Sequence, residues 1–536
     1  MTSPPPAARE RLASRVLFLG VPLLFALAAI VLPQDNNWDL RNYHWYNAYA
    51  FLNGRMGFDL APAQTPTYYN PLLDVPFFLA AQVLPARLLS FLLGLIQGCN
   101  FIPLFLLARR TLSLSEGLTA VAAAAGIALV GLVGAGHIGL IGTTFYDNVL
   151  SLFVLSAMLM VVSAPELLTS GPMKRALMHV FWAGGLVGLA VGLKLPSQVF
   201  AVGVCFGLLF IPGAFLRRFW LSFVCGLGII AGFAVTGGWW IVRMWSEFAN
   251  PLFPYMNHIF RSPWALELNY RDIRFLPKSL GEALTFPFRF AVDSKIASEI
   301  SFTDWRIAVA VIVLLATAGL VMIGARRRDA AANPFAVRYL AAVSALAYAV
   351  WLAIFAIYRY IMPLEMLAPL LIAAGVALWP ASPRLRAGLT IALLLLVTVT
   401  TRTHENWTRK PWAPGLGGAF VAVSPPPLDD PRNTIVLMTG LAPTAFVIPA
   451  FPPEVPFLRP VSYLAGPDQN TRFIQTIRDR LAAHTGPVLI LQPSWDHETA
   501  EKFLPLLGLV PDHGACRKIP NNLDETLELC PARPRP

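Results

Sequence analysis

The sequence predicts a polytopic α-helical membrane protein with about eleven spans (11–13 by the apolar runs) and a small C-terminal α/β domain outside the membrane. Three observations predict it. Of 536 residues, 56% are hydrophobic and 13% charged, against roughly 25% charged in a soluble globular chain, and the mean hydropathy is +0.59. Apolar runs near spanning length recur between residues 16 and 400. Lys and Arg gather in alternate connections between those runs, as the positive-inside rule requires of cytoplasmic loops.

The first run, 16–32, follows Arg9, Arg11 and Arg15. Ala26-Leu27-Ala28 resembles a signal-peptide cleavage site, but the run continues past it toward the roughly 20 residues a span needs, so an uncleaved helix is expected. Further runs lie near 88–108, 118–136, 148–163, 178–193, 196–213, 219–240, 306–324, 337–357, 361–379 and 387–400. In lipid each must close its own backbone hydrogen bonds, which makes each a helix. Segments 74–87 and 279–292 are also rather apolar and would supply any further spans.

Arg109-Arg110, Lys174-Arg175, Arg217-Arg218, Arg326-Arg327-Arg328 and Arg384/Arg386 fall on one side together with the basic N-terminus. That side is then the cytoplasm, and the net charge of +11 reflects loop topology rather than nucleic-acid binding. An odd number of spans puts the C-terminus outside, with 34–87, 241–305 and 401–536 as long outer segments. From Thr401 onward the pattern changes: 433–439 and 488–491 read as strands, 471–484 and 497–508 as helices. Cys516 and Cys530 lie here, while Cys99, Cys205 and Cys225 lie in spans. An outer location makes Cys516–Cys530 a disulfide; the alternative is two free thiols in a cytoplasmic tail. Proline clusters at 4–6, 425–427 and 531–536 read as linkers or tails.

The first outer segment begins Asp35-Asn36-Asn37-Trp38-Asp39-Leu40-Arg41-Asn42-Tyr43-His44. No Pro or Gly interrupts 39–53, and Leu40, Tyr43, Tyr46 or Asn47, and Ala50 recur at helical spacing, predicting an aromatic-rich interfacial helix. Asp39 reads either as a capping acid paired to Arg41 or Arg55, or as a general base for an acceptor hydroxyl. His44 reads as a polar member of an aromatic face, or as a base or metal ligand. No H-x-x-x-H, C-x-x-C or clustered carboxylate set supports a permanent metal.

Asp39, Tyr43 and Gly54, followed by Asn70-Pro71-Leu72 with Tyr68, Tyr69 and Asp74 around it, form an ordered pattern. It resembles that of the polyprenyl-phosphate-sugar-dependent glycosyltransferases of the GT-C superfamily, such as protein O-mannosyltransferases and lipid A aminoarabinose transferases. Further pieces are Thr143-Thr144-Phe145-Tyr146-Asp147-Asn148, a Gly-rich run ending Gly192-Leu193-Lys194, Asn250-Pro251-Leu252-Phe253-Pro254, and Tyr358-Arg359-Tyr360-Ile361-Met362-Pro363-Leu364-Glu365. Leu40 stands where that family often carries a second acid, which weakens a two-acid or metal mechanism in the first segment.

The resemblance implies a GT-C-like transmembrane domain over 1–400 and a periplasmic domain over 401–536, in a bacterial inner membrane. It implies transfer of a sugar from a polyprenyl-phosphate donor to a lipid, glycan or protein hydroxyl, with Asp39 as base. Lys194 and Arg359 would hold the donor phosphate; cations at helix ends also snorkel to headgroups. Arg243 is a third candidate, with Glu247 placed four residues on to pair with it. Tyr43, His44, Asn70, Asp147, Tyr358 and Glu365 would line the donor and acceptor pocket. A divalent cation shared by Asp39 and Asp147 is the one metal arrangement left open. The competing reading is a transporter, flippase or non-catalytic binder of lipid-linked sugars.

Overall fold

The computed structural model describes residues 6–114, 116–325, 331–412 and 418–535. Arg326-Arg327-Arg328, Pro4, Pro5 and Pro536 lie outside them. The described chain is mostly helical, and all eleven apolar runs are helical over most of their length. Among the described residues, seven helices are long and apolar enough to cross a membrane: Ala8–Val31, Ala86–Thr111, Met173–Leu193, Phe215–Phe248, Pro334–Ile354, Tyr358–Ala377 and Pro383–Thr400. Five shorter apolar helices accompany them, among them Asp147–Val162 and Arg306–Met322. At 1.5 Å per residue, 16 residues reach about 24 Å, short of a roughly 30 Å hydrocarbon core without help from their ends.

The chain forms two compact units, and the division differs from the boundary expected at 401. A helical unit comprises Met1–Leu32, Ser90–Gly237 and Asp272–Trp407; a mixed unit comprises Pro33–Leu89, Gly238–Arg271 and Thr408–Pro536. The first outer segment and the start of the second thus belong with the C-terminal domain.

In the helical unit, the most apolar window of Tyr358–Ala377 is 94% buried, whereas those of Ala8–Val31 and Pro383–Thr400 are 22% and 17% buried. Leu12, Val16, Leu19, Leu24, Ile391, Leu395 and Val399 are exposed. An apolar exterior of this extent suits lipid rather than water. Met173–Leu193 and Phe215–Phe233 meet through glycines. A Cβ on Gly184, Gly188 or Gly232 would stand 2.1 Å from the carbonyl oxygen of Cys225, Ile229 or Gly185. Small residues at this four-residue spacing let helix backbones touch. Gly188→Leu is expected to force the pair apart and lower the thermal midpoint in detergent by several degrees, by about the ~1–3 kcal/mol of an overpacked core.

The mixed unit is built on a six-stranded sheet. Ile435–Met438 pairs in parallel with Phe457–Leu458 and Val488–Pro493. Leu527–Pro534 pairs antiparallel with Val488–Pro493, Leu509–Pro511 and Arg517–Lys518. All four residues of Ile435–Met438 are buried, as a continuous apolar run in a parallel strand should be. The helix Arg472–Ala482 starts at Thr471, whose side chain accepts from the Ile474 N–H, and buries Phe473, Ile474 and Ile477. Cys516 and Cys530 are joined in a disulfide.

The first outer segment is sewn to this sheet. Leu60 N–H donates to the Phe457 carbonyl at 2.9 Å and the Leu60 carbonyl accepts from Arg459 N–H at 3.0 Å, extending the sheet edge by one residue. Arg55 grips Asp59 through Nε and Nη2 at 2.7 and 2.8 Å, and donates to the carbonyls of Pro453 and Val455 at 2.7 Å each. Asp59 also accepts from Tyr46 and from the Phe457 N–H, both at 2.9 Å. Arg41 reaches Asp524 at 2.9 Å.

One end of the sheet carries two stacked imidazoles, His497 and His513, with ring centres 4.0 Å apart. His497 Nε2 is 2.6 Å from Glu528 and His513 Nε2 is 3.4 Å from Glu501. Burial first, then His497, lowers the pKa of His513 from its ordinary 6.5, against Glu501, Glu528 and Asp512. On acidification the unfolded chain therefore takes up this proton first. His513 contributes stability that is present above about pH 6.5 and is lost as pH falls below it. Protection factors of the Val488–Gln492 amides, with the intrinsic acid slowing of exchange divided out, are expected to fall between about pH 7 and 5, and His513→Gln should flatten that dependence.

Candidate functional site

In the mixed unit the sequence-predicted residues gather around the start of the first outer segment. Asn37 donates to both oxygens of Asp35, at 2.7 and 2.9 Å, and its own Oδ1 accepts from the Leu40 N–H at 2.7 Å. Asn37 is thus the capping side chain. Asp39 makes no capping bond to the turn that follows it. Arg41 and Arg55, its expected ion-pair partners, are engaged with Asp524 and Asp59.

A π-helical turn, Leu40–His44, leads into the α-helix Trp45–Leu52. Such turns re-aim side chains and recur at functional sites. Here Tyr43 donates its hydroxyl to Asp39 Oδ2 at 3.0 Å, orienting the carboxylate. His44 Nδ1 stands 2.6 Å from Asp74 Oδ1, both side chains buried. The Tyr43 ring packs on His44 at 4.2 Å and edge-on to Tyr69 at 5.2 Å, and the Tyr69 and Tyr255 hydroxyls are hydrogen-bonded. The helix differs from the expected interfacial one. Trp45, Tyr46, Asn47, Ala48 and Ala50 are all buried, because the segment packs inside its unit rather than lying with one face in solvent.

Asn70 accepts from the Leu72 N–H at 3.0 Å, Asn250 from Leu252 at 3.0 Å, and Asn333 from Phe335 at 3.0 Å. All three are Asn-Pro-x sequences closing the same Asx turn. Asn70 therefore has a local structural role, whatever else it does.

In the helical unit, Asp147, Lys194 and Arg359 converge. Asp147 sits in the first turn of Asp147–Val162, Lys194 caps the end of Met173–Leu193, and Arg359 lies in the 3₁₀ turn Tyr358–Ile361. Lys194 Nζ donates to both Asp147 oxygens, at 3.0 and 2.9 Å, and to the Phe145 carbonyl at 2.8 Å. Arg359 Nη1 is 3.9 Å from Asp147 Oδ2. Its guanidinium lies over the Phe145 and Tyr360 rings at 4.8 and 5.1 Å. Beside this group is a cavity of about 10 Å³, also lined by Ser151, Ser197 and Pro363; one water-sized body fills such a space. Asp272 adds its charge near Arg359. Burial pushes the Asp272 carboxyl up, but hydrogen bonds and charge from Arg274, with the charge of Arg359, bring it below its ordinary value. With Asp272 beside Arg359, two cations are matched by two carboxylates, so an incoming anion would use the donors of Lys194 and Arg359 by replacing a carboxylate.

Tyr358 and Glu365 lie deeper. Tyr358 is fully buried, with ring contacts to Phe290 and Phe302 at 5.5 and 4.7 Å. Glu365 is fully buried and accepts from the Gly136 and His137 N–H groups at 3.0 and 2.8 Å, satisfying the start of the short helix Ala135–Gly139. Arg243 belongs to the mixed unit, half-exposed, with Nε 2.8 Å from Glu247. Asp39 and Asp147, the pair considered for a shared cation, fall in different units. Among the described residues, His513, Cys516, Glu528 and Cys530 cluster with metal-like spacing, but the two sulfurs are bonded to each other and are not thiolate ligands.

The chain matches no family model and no curated sequence.

Sequence reasoning missed Asp304 and Arg306, a fully buried pair with Nε–Oδ1 2.7 Å. The signal was present: charges opening the apolar run 306–324 are costly in a membrane. The Arg55–Asp59–Tyr46 network was missed too, since its other partners lie some 400 residues away.

Proposed function

We propose that this protein is a GT-C-like glycosyltransferase of the bacterial inner membrane that uses a polyprenyl-phosphate sugar and transfers the sugar on the periplasmic side. In this reading about eleven spans carry the chain, with the N-terminus cytoplasmic and the C-terminal domain periplasmic. The observation that carries it is the Lys194–Asp147–Arg359 group, where two cations and aromatic rings meet at the Asp147 carboxylate. In this reading the donor phosphate takes the place of the Asp147 carboxylate between the two cations, since the cavity beside it has room for about one water-sized body.

Lys194 and Arg359 then stabilise charge developing on the leaving phosphate. Asp39, oriented by Tyr43, takes the proton from the acceptor hydroxyl as its oxygen attacks the anomeric carbon and the bond to phosphate breaks. The sugar leaves the donor, and the polyprenyl phosphate departs as the second product.

The test is binding of a polyprenyl phosphate to purified protein. Lys194→Ala and Arg359→Ala should each weaken it about tenfold or more, as loss of a charge-assisted bond worth ~1.5–3 kcal/mol implies. Asp147→Asn should tighten it, because the internal competitor loses its charge. Unchanged binding in all three variants would contradict the assignment.

A further inference from the structure

One face of the sheet in the mixed unit gathers side chains that the transfer chemistry leaves unused. Glu528 and Cys530 lie two residues apart on Leu527–Pro534 and so point the same way. Gln492 is the register partner of Glu528 on the neighbouring strand. Cys516 directly precedes Arg517–Lys518, which pairs with Leu527–Pro534 on its other side, and His513 comes from the turn His513–Ala515. One donor atom from each of His513, Cys516, Glu528 and Cys530 lies within 4.8 Å of the other three.

Three of these four already converge on one point. Gln492 Nε2 lies 3.1 Å from Glu528 Oε1, 3.4 Å from His513 Nδ1 and 3.7 Å from Cys530 Sγ. Gln492 is fully buried, and its amide brings a polarised N–H group to the spot where the lone pairs meet. The surroundings hold the same residues as outer partners hold metal ligands. His513 turns its other nitrogen, Nε2, to Glu501 at 3.4 Å, the carboxylate that fixes a ligating imidazole. Glu528 is held from outside by His497 Nε2 at 2.6 Å.

The donor set selects the ion. Two sulfurs, an imidazole and a carboxylate suit a zinc-type ion, whereas calcium and magnesium take oxygen donors. Zinc bonds of about 2.0–2.3 Å put tetrahedral donors roughly 3.3–3.8 Å apart, so no pair has to close by more than about 1 Å, while the two sulfurs move apart. Sulfur ligates as the thiolate, and here the two sulfurs are joined to each other. We propose that this cluster is a redox-gated site for one zinc-type divalent ion, closed by the disulfide and opened by its reduction. A dithiol attacks Cys516, which is partly exposed while Cys530 is buried, and leaves as a disulfide after passing two electrons and two protons to the protein. Cys516 and Cys530 are then thiols, and both protons depart as the thiolates bind the ion. Gln492 Nε2 gives way to the ion. The tie between Cys516 and Cys530 persists in both states, first as a covalent bond and then through the metal. None of this rests on the transferase reading.

The experiment is a cobalt(II) titration of the full-length protein in detergent, before and after reduction with a phosphine, which does not chelate the metal as a dithiol would. The reduced protein is expected to bind one cobalt per chain, with a thiolate-to-cobalt charge-transfer band and the visible bands of tetrahedral cobalt, and zinc should displace it. The oxidised protein should show neither band. Cys516→Ser should remove the charge-transfer band. His513→Gln, which leaves both cysteines in place, should weaken cobalt binding to the reduced protein at least tenfold, and it decides the matter if Cys516→Ser does not fold. Equal uptake before and after reduction, no uptake after it, or affinity unchanged in His513→Gln would each overturn the inference. So would a band that persists in Cys516→Ser, since it would come from the free thiols Cys99, Cys205 or Cys225.

Discussion

Asp39→Asn is expected to lower sugar transfer by about 10²–10⁴-fold, the range a positioned general base supplies, while donor binding stays within about twofold. Asn keeps the shape of Asp and still accepts the Tyr43 hydroxyl, now 3.0 Å from Oδ2, so the turn Leu40–His44 has no reason to rearrange. Capping does not explain the residue, because Asn37 already accepts from the Leu40 N–H. A kinetic split, with turnover lost and affinity kept, separates a base from a residue that shapes the fold. Transfer within tenfold of wild type would assign Asp39 to orienting Tyr43 alone.

The second large effect is on stability. Arg306 is fully buried and holds three segments together, donating to the carbonyls of Val130 and Val133 at 2.7 and 3.2 Å, to Thr401 at 2.9 Å and to Asp304 at 2.7 Å. Asp304 Oδ2 accepts from the Ala135 N–H at 2.9 Å. Arg306→Leu leaves Asp304 charged and buried without its cation, which costs about 3–5 kcal/mol. The thermal midpoint in detergent should fall steeply, and Asp304→Leu in the same chain should restore part of it. A double variant no better than the single would show that the carbonyl bonds, not the ion pair, carry the stabilisation.

Much of the helical architecture was legible because apolar length is a local property: 337–357 became Pro334–Ile354 and 178–193 became part of Met173–Leu193. The C-terminal strands and helices were legible for the same reason, with 433–439 and 488–491 matching Ile435–Met438 and Val488–Pro493. What was not legible is pairing at long range. Leu60 joins the sheet beside Phe457, and Arg55 bonds the carbonyl of Val455, 400 residues on; no periodicity encodes such partners. That is why the first outer segment was placed at the interface and is instead buried in the mixed unit.

The candidate site divides in the same way. Lys194, Arg359 and Asp147 were separate readings at three helix ends, and the fold brings them together. Asn70 and Glu365 were read as pocket residues, and their bonds satisfy backbone N–H groups.

The measurement that bears most directly on the transferase reading is turnover of a panel of polyprenyl-phosphate sugars by the purified wild-type protein, followed by release of polyprenyl phosphate. At least one donor should be consumed, with its sugar recovered on an acceptor hydroxyl or, without acceptor, on water. Donor binding with no turnover across the panel would contradict catalysis and leave a carrier or scaffold for lipid-linked sugars in its place.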